Sequence, residues 1–422
     1  MAAGGSPRVT ERRPWWVHEG LEVRDGRLSI AGRDADEIAR EFGTPRYVFD
    51  LTRVREQAQA LQDALDGAGL KQRVRFAMKA CREPEMLTFI RGLGEPGSMR
   101  SIGIDACTPR EVAVALDSGW LPDEISLTGT NLTDADMRSA LSTPVHINVD
   151  LLSQVRRVGR LFPGRRIGLR VNPGVSAVRE GGDLYSGDAP TKFGIYPEDL
   201  GQALQIVREH DLRIGVLHCH VGWAYRDGEL GALEQAVVVL ARMTEQLRAV
   251  GHDVEEVNVG GGLGVPYLEG EEPLDLDRWA AILARPLAPL GVTVAVEPGE
   301  FLVKEAGVLL AEVVTVEVRK GKTFAGLDVG WNAIQQGYVY GEPIILTLCR
   351  APSAKPQAAV TFTGNINEGD DLFATDYPFP QIEEGDIVAM LAVGAYNQAM
   401  ANEHTLRPRA GATYFEQRTA VG

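Results

Sequence analysis

A lysine stands in an otherwise apolar run, Phe76-Ala-Met-Lys79-Ala80. Apolar neighbours penalise its charged form, so its pKa is expected to fall and its amine to be able to condense with an aldehyde as a Schiff base. Three other features suit that chemistry. The run Gly260-Gly-Gly-Leu-Gly264 matches neither dinucleotide nor nucleotide-triphosphate fingerprints, yet its backbone amides, those of Gly261 and Gly262 among them, can cradle a phosphate. Glu297, at the end of an apolar run and followed by Pro-Gly, can keep a pyridinium nitrogen protonated. His220, two residues after His218, can lie flat against such a ring, whereas His218 reads as a core imidazole. An anchored lysine, an anion cradle, a facing imidazole and a carboxylate for a ring nitrogen together describe a site for pyridoxal phosphate.

Elements that could hold these groups recur along the chain. Eight short β-prone runs occur between residues 75 and 299: Arg75–Ala80, Ser101–Ala106, Glu124–Gly129, Val145–Asp150, Ile167–Asn172, Gly215–Val221, Glu256–Gly262 and Val292–Gly299. They are apolar until their last residues, as buried parallel strands ending at a working face should be. Stretches such as Pro109–Leu116 and Leu233–Leu247 are apolar on one helical face. The alternation predicts a (β/α)8 barrel presenting Lys79, Asp105, Arg170, His218, His220, the glycine run and Glu297 at its C-terminal face. An Asp25-Gly26 turn between two short alternating runs predicts a β-hairpin. After Lys304, the runs Gly307–Val318, Pro343–Leu348, Ala358–Thr363 and Asp386–Leu391 read as antiparallel strands. The expected organisation is a flexible N-terminus (1–16), N-terminal strands packing with a β domain (17–47), the barrel (48–304) and a C-terminal β domain (305–422).

Composition narrows the function classes. The 422 residues carry 43 Lys+Arg against 58 Asp+Glu, a formal charge of −15, which disfavours nucleic acid or an anionic membrane as partner. The four cysteines, Cys81, Cys107, Cys219 and Cys349, form no C-x-x-C pair, so neither a zinc knuckle nor a disulfide framework is expected. A reducing cytoplasm is the simplest reading, with no export signal and no membrane span. A metal-dependent barrel hydrolase is a rival because His218-x-His220 imitates a ligand pair, but it needs further ligands at other strand ends, and no metal is expected.

In order along nearly the whole chain, the segments Phe42-Gly-Thr-Pro-Arg-Tyr47, Phe76-Ala-Met-Lys79, Arg170-Val-Asn-Pro173, His218-Cys-His-Val-Gly222, Gly260-Gly-Gly262, Glu297-Pro-Gly299, Asp328-Val-Gly-Trp-Asn332, Gly364-Asn-Ile-Asn-Glu-Gly-Asp-Asp371 and Gly394-Ala-Tyr396 resemble the diaminopimelate/ornithine decarboxylase family. These are the barrel-type (fold type III) pyridoxal-phosphate decarboxylases. The resemblance implies that Lys79 bears the cofactor, Glu297 pairs with its ring nitrogen, and His220 stacks on the ring. It further implies that Asp105 and Arg170 line the pocket and that Gly262 and Tyr396 contact the phosphate. A homodimer follows from the same resemblance, each site completed by the partner's segment 364–371.

The chain departs from that pattern at the substrate side. Trp223 stands where the family usually has serine, and Glu300 where it has arginine. The segment expected to carry a second arginine reads Ile334-Gln-Gln336-Gly-Tyr338. Either Lys304 supplies the missing charge, or Glu300 faces the substrate. With Gln336, Tyr338 and Glu368 as further substrate-side candidates, an amino acid with a cationic or polar distal group, from specialised metabolism, fits better than diaminopimelate. Asn367 takes the place of the family's cysteine, a proton donor after CO2 loss. His404, Tyr338 or water could then protonate the α-carbon. Alternatively decarboxylation is coupled to transamination, and racemisation, with Lys79 and a tyrosine as the two bases, is a third possibility.

Overall fold

The computed structural model describes residues 14–95, 97–178 and 184–417. All eight expected barrel runs form strands: β1 (Lys71–Ala77), β2 (Ile102–Ala106), β3 (Ile125–Leu127), β4 (His146–Val149), β5 (Arg166–Arg170), β6 (Arg213–His218), β7 (Glu256–Asn258) and β8 (Thr293–Val296). Each pairs in parallel with its neighbours, and β8 closes on β1 through the register Thr293–Lys71 to Val296–Val74. Closure removes both sheet edges, so no backbone edge is left for another chain to pair with. Val, Ile and Leu dominate the strands because both faces are covered, by helices outside and by side chains within. The expected helices span Pro109–Asp117, capped by Thr108 with Pro109 in its first turn, and Leu230–Ala249.

The barrel floor holds a polar core that the apolar pattern does not announce. Arg75 and Glu256, both buried, make a bidentate ion pair of 2.7 and 3.0 Å. One layer higher, Asn148 donates to Ser126 and Thr128, each at 3.0 Å.

The second sheet mixes both ends of the chain. Its central strand, Gly307–Arg319, pairs antiparallel with Arg46–Asp50, Lys322–Leu327 and Ile387–Leu391. Ile345–Leu348, Ala358–Thr363 and Leu372–Phe379 extend it, while Gly411–Phe415 runs parallel to Arg46–Asp50. The Asp25-Gly26 hairpin forms as expected, both turn residues having positive φ (49° and 76°). It belongs to a separate three-stranded sheet whose Leu21, Leu28 and Ile30 pack on Val308, Leu310, Ile345 and Leu391 of the β domain. Trp15 and Trp16 pack against that same cluster; residues 1–13 of the expected flexible N-terminus lie outside the described residues.

Candidate active site

The C-terminal ends of the barrel strands surround a cavity of about 300 Å³ lined by Lys79, Asp105, Arg170, His218, His220, Gly261, Gly262, Glu297, Glu300 and Tyr396. β1 ends at Ala77, so Lys79 lies not on the strand but on the short 3-10 turn Met78–Ala80 that follows. Two backbone bonds hold that turn: Ala77 N–H donates to Pro298 O (3.1 Å), and Tyr396 N–H donates to Ala80 O (2.8 Å). Lys79 therefore meets the end of β8 on one side and the β domain on the other, and its side chain stands exposed in the cavity.

The electrostatics of Lys79 differ from the expectation drawn from its apolar neighbours in sequence. Burial does push its ammonium down, but Cys107, Tyr396, Asp105 and Tyr185 push it up by more, and the net shift is upward. Burial pushes the Cys107 thiol and the Tyr396 phenol up, so both are uncharged at neutral pH, which leaves the Asp105 carboxyl as the partner that matters. Asp105 is itself raised well above its ordinary value, by burial first and by Glu297 second, and its Oδ1 has no protein partner.

Glu297 is fixed by groups from two other strands. His218 Nε2 lies 3.0 Å from one of its oxygens, and Asn258 Nδ2 donates to the other at 2.6 Å. Burial opposes its ionisation, but His218, Asn258 and Arg75 overcome it and hold the carboxyl at about 2. His218 is the core imidazole expected, buried and satisfied at Nε2 by Glu297, and that contact makes it a positioning residue for the carboxylate. A carboxylate with a depressed pKa adds stability that is complete above its unfolded value near 4.5 and is lost as pH falls toward 2. Acid unfolding between about pH 5 and 3 is accordingly expected to be steeper in the native protein than in Glu297→Gln, read by circular dichroism.

His220 is driven well below the ordinary imidazole range by burial, with Lys79 and Arg170 adding to the effect, so it is neutral at neutral pH. Tyr185 meets it edge-on, with centroids 5.0 Å apart and planes at 83°, which fixes the orientation of the imidazole face. Arg170 lies over the Phe193 ring at 4.2 Å. At the glycine run the backbone approaches its neighbours too closely for a side chain. A Cβ on Gly261 would lie 2.1 Å from Glu297 O, and one on Gly262 (φ 98°) would lie 2.2 Å from Gly222 O. Among the described residues, no protein acceptor meets the N–H of Gly261 or Gly262. Free amides, an unpaired Asp105 oxygen, a neutral imidazole face and an anionic glutamate match the donor set that a phosphorylated pyridine aldehyde needs.

The substrate-side candidates are divided. Glu300 lines the cavity, and so does Glu342, which no sequence pattern singled out. Lys304 does not stand free in the cavity; it is fully buried behind these two, bound to Glu342 and donating to Tyr267 Oη at 2.6 Å. Trp223, in the expected serine's place, packs on Tyr340 (5.7 Å), which packs on Tyr396 (5.5 Å), building an aromatic wall. Gln336 is buried, and its Oε1 accepts from Asn397 at 2.8 Å. Tyr338, Asn367 and Glu368 lie on the outer surface of this chain: Tyr338 donates to Asp370 O (2.7 Å), and Glu368 pairs with His404 (3.2 Å). The family-placed residues were legible in sequence; Asn258, Tyr267 and Glu342 were not.

A (β/α)8 barrel with a lysine, a clamped glutamate and free glycine amides at one mouth defines a barrel-type pyridoxal-phosphate enzyme. The family described as pyridoxal-dependent decarboxylase, pyridoxal binding domain, matches residues 51–304, and the chain belongs to it. It is therefore a pyridoxal-phosphate-dependent carboxy-lyase. A diaminopimelate decarboxylase of Methanothermobacter thermautotrophicus is 36% identical over 400 residues, covering 92% of this chain and 91% of the relative. One from Actinosynnema pretiosum is 32% identical over 400 residues, covering 91% and 87%. The crystal structure of diaminopimelate decarboxylase from Helicobacter pylori complexed with L-lysine superposes with a TM-score of 0.82 at 25% identity, covering 91% of this chain and 94% of that one. Among the described residues, no helix is long and apolar enough to cross a membrane, and no cluster of His, Cys, Asp and Glu could hold a metal ion.

Proposed function

We propose that the protein decarboxylates a non-standard α-amino acid on pyridoxal phosphate carried by Lys79, in a site that two copies of the chain complete. The observation that carries this reading is the convergence on one cavity of the Lys79 amine, ionised Glu297, neutral His220 and the free amides of Gly261 and Gly262. When bound, the cofactor supplies a carbonyl that amines attack and a ring that draws the electron pair from the α-carbon as CO2 leaves. Lys79 would provide the amine that holds the cofactor and, when free, a proton carrier inside the cavity. Glu297 holds a proton at the ring nitrogen, for which its low pKa keeps it anionic. His220, its plane set by Tyr185, would cover one ring face, while the Gly261 and Gly262 amides and the Tyr396 hydroxyl would hold the phosphate. Asp105 from β2 and Arg170 from β5 would line the rest of the ring's site. Incubation with a panel of amino acids is expected to release CO2 and amine in equal amounts, with no pyridoxamine phosphate; CO2-free racemisation, or conversion of the cofactor, would overturn the reading.

The segment with Asn367 and Glu368 is tied through Tyr338 and His404 to stretches that carry the exposed Val339, Leu372 and Leu406, apolar surface suited to covering by a second copy. Sharing of the site across that face predicts complementation. Mixed and refolded Lys79→Ala and Glu368→Ala chains should regain up to about a quarter of native activity, since random pairing builds one intact site in half of the dimers. No recovery would show that each chain builds its own site. The four free cysteines, three of them buried, support a cytoplasmic location.

A further inference from the structure

Four buried side chains from three parts of the chain meet at the cavity wall: Tyr267 after the glycine run, Glu300 and Lys304 on the turn after β8, and Glu342 on the loop following the short helix Gln336–Val339 of the β domain. Tyr267 Oη contacts Glu300 Oε1 and lies 3.1 Å from Glu342 Oε1. Lys304 Nζ contacts Glu342 Oε2, donates to Tyr267 Oη at 2.6 Å and lies 3.4 Å from Glu300 Oε1. Glu300 and Glu342 line the cavity, whereas Lys304 and Tyr267 do not.

We propose that Glu300 and Glu342 form the subsite for the distal end of the substrate, and that this end carries a cationic nitrogen and no carboxylate. The inference rests on the decarboxylase reading of the same cavity. The donor count supports it. Lys304 has three N–H groups, one of which goes to Tyr267, and Tyr267 has a single O–H to share between two carboxylates. Glu300 Oε1 is engaged, but no protein donor meets Glu300 Oε2 among the described residues. Two carboxylates face one ammonium, so the cluster is short of both positive charge and donors on the side open to the cavity. A distal ammonium or guanidinium supplies both; a distal carboxylate meets two like charges in a poorly hydrated place. Burial lifts the Glu300 carboxyl to about 7, with Lys304 drawing it down and Glu342 pushing it up, so near neutrality a proton balances the cluster and an arriving cation takes that proton's place. The enclosing Trp223 and Tyr340 add faces on which a cation can rest.

The test uses holoenzyme and primary amines that differ only at the far end: 1,5-diaminopentane, 1-aminopentane and 5-aminopentanoate. Binding is read from the change each causes in the visible absorption of the lysine-bound cofactor and, independently, from quenching of tryptophan fluorescence. The diamine is expected to bind at least about tenfold more tightly than aminopentane, and aminopentanoate at least about tenfold more weakly. In Glu342→Gln, and separately in Glu300→Gln, the preference of diamine over aminopentane should fall to within about threefold. Equal binding of all three amines, tighter binding of aminopentanoate, or an unchanged preference in both variants would overturn this subsite and leave the decarboxylase reading standing. Failure of every amine to perturb the cofactor band would overturn both.

Discussion

Replacing Lys79 with alanine is expected to abolish CO2 release and to remove the visible band of the lysine-bound cofactor together. The loss should be at least about 10²- to 10⁴-fold, the scale of removing a positioned proton-transfer group, before the lost covalent attachment is counted. The structure gives a reason to expect that the protein survives the change. Lys79 protrudes into the cavity from a turn whose backbone is tied to Pro298 and Tyr396, so alanine removes no core contact and opens no sealed void. The native circular dichroism spectrum and thermal transition of the apoprotein should therefore persist in the variant. Borohydride should fix cofactor covalently to the native protein and not to Lys79→Ala. Retention of the band in the variant would move the attachment to another amine and overturn the site.

The largest effect on stability is expected at the opposite end of the barrel. Arg75 and Glu256 are sealed in the floor, and Glu256 is held below its ordinary pKa: burial pushes it up, but Arg75 pulls it further down, with Arg73 and His146 assisting. Arg75→Met leaves that carboxylate with Arg73 at 3.6 Å as its remaining close cation. Breaking one partner of a buried pair costs about 3–5 kcal/mol. The sign of the pH effect is fixed by the same pairing. A carboxylate lowered in the folded state stabilises above its unfolded pKa near 4.5, and that contribution disappears as pH falls, so the gap between native protein and variant should narrow in acid. The double variant Arg75→Met with Glu256→Gln should recover part of the loss at neutral pH, because no charge is then left unpaired. Urea midpoints of the three proteins test this; a double variant no more stable than Arg75→Met would refute the account.

The barrel was legible because its strands are buried on both faces and read as apolar runs ending in chemistry-bearing residues. Those same terminal residues, Asp105, Arg170, His220 and Glu297, do meet at one cavity. The environment of each was far less legible. Lys79 looked like an amine with a lowered pKa because its sequence neighbours are apolar, but its spatial neighbours include Asp105 from the adjacent strand. His218 reads as core and is core, but its partner Glu297 lies 79 residues away and was not legible. Lys304 invited the role of free cation in the pocket, since nothing local shows that Tyr267 and Glu342 fold over it. Glu342 comes from a β-domain loop with no periodicity, and only the docking of that loop on the barrel brings it to the cavity. Strand positions follow from local pattern, whereas charge balance depends on contacts between segments distant in the chain.

The two bonds that grip the Lys79 turn have a consequence for how the protein is made. Ala77 waits for Pro298, and Ala80 waits for Tyr396, so the lysine is not held in place until the last barrel strand has closed and the β domain has docked. Contacts between such distant residues form late, because long loops must be ordered before they are rewarded. A nascent or truncated chain ending before Tyr396 therefore has the lysine without its clamp. Cofactor uptake thus becomes a marker of completed synthesis: in time-resolved refolding, the cofactor band should rise with the slowest structural phase, after the helices and the barrel strands have formed.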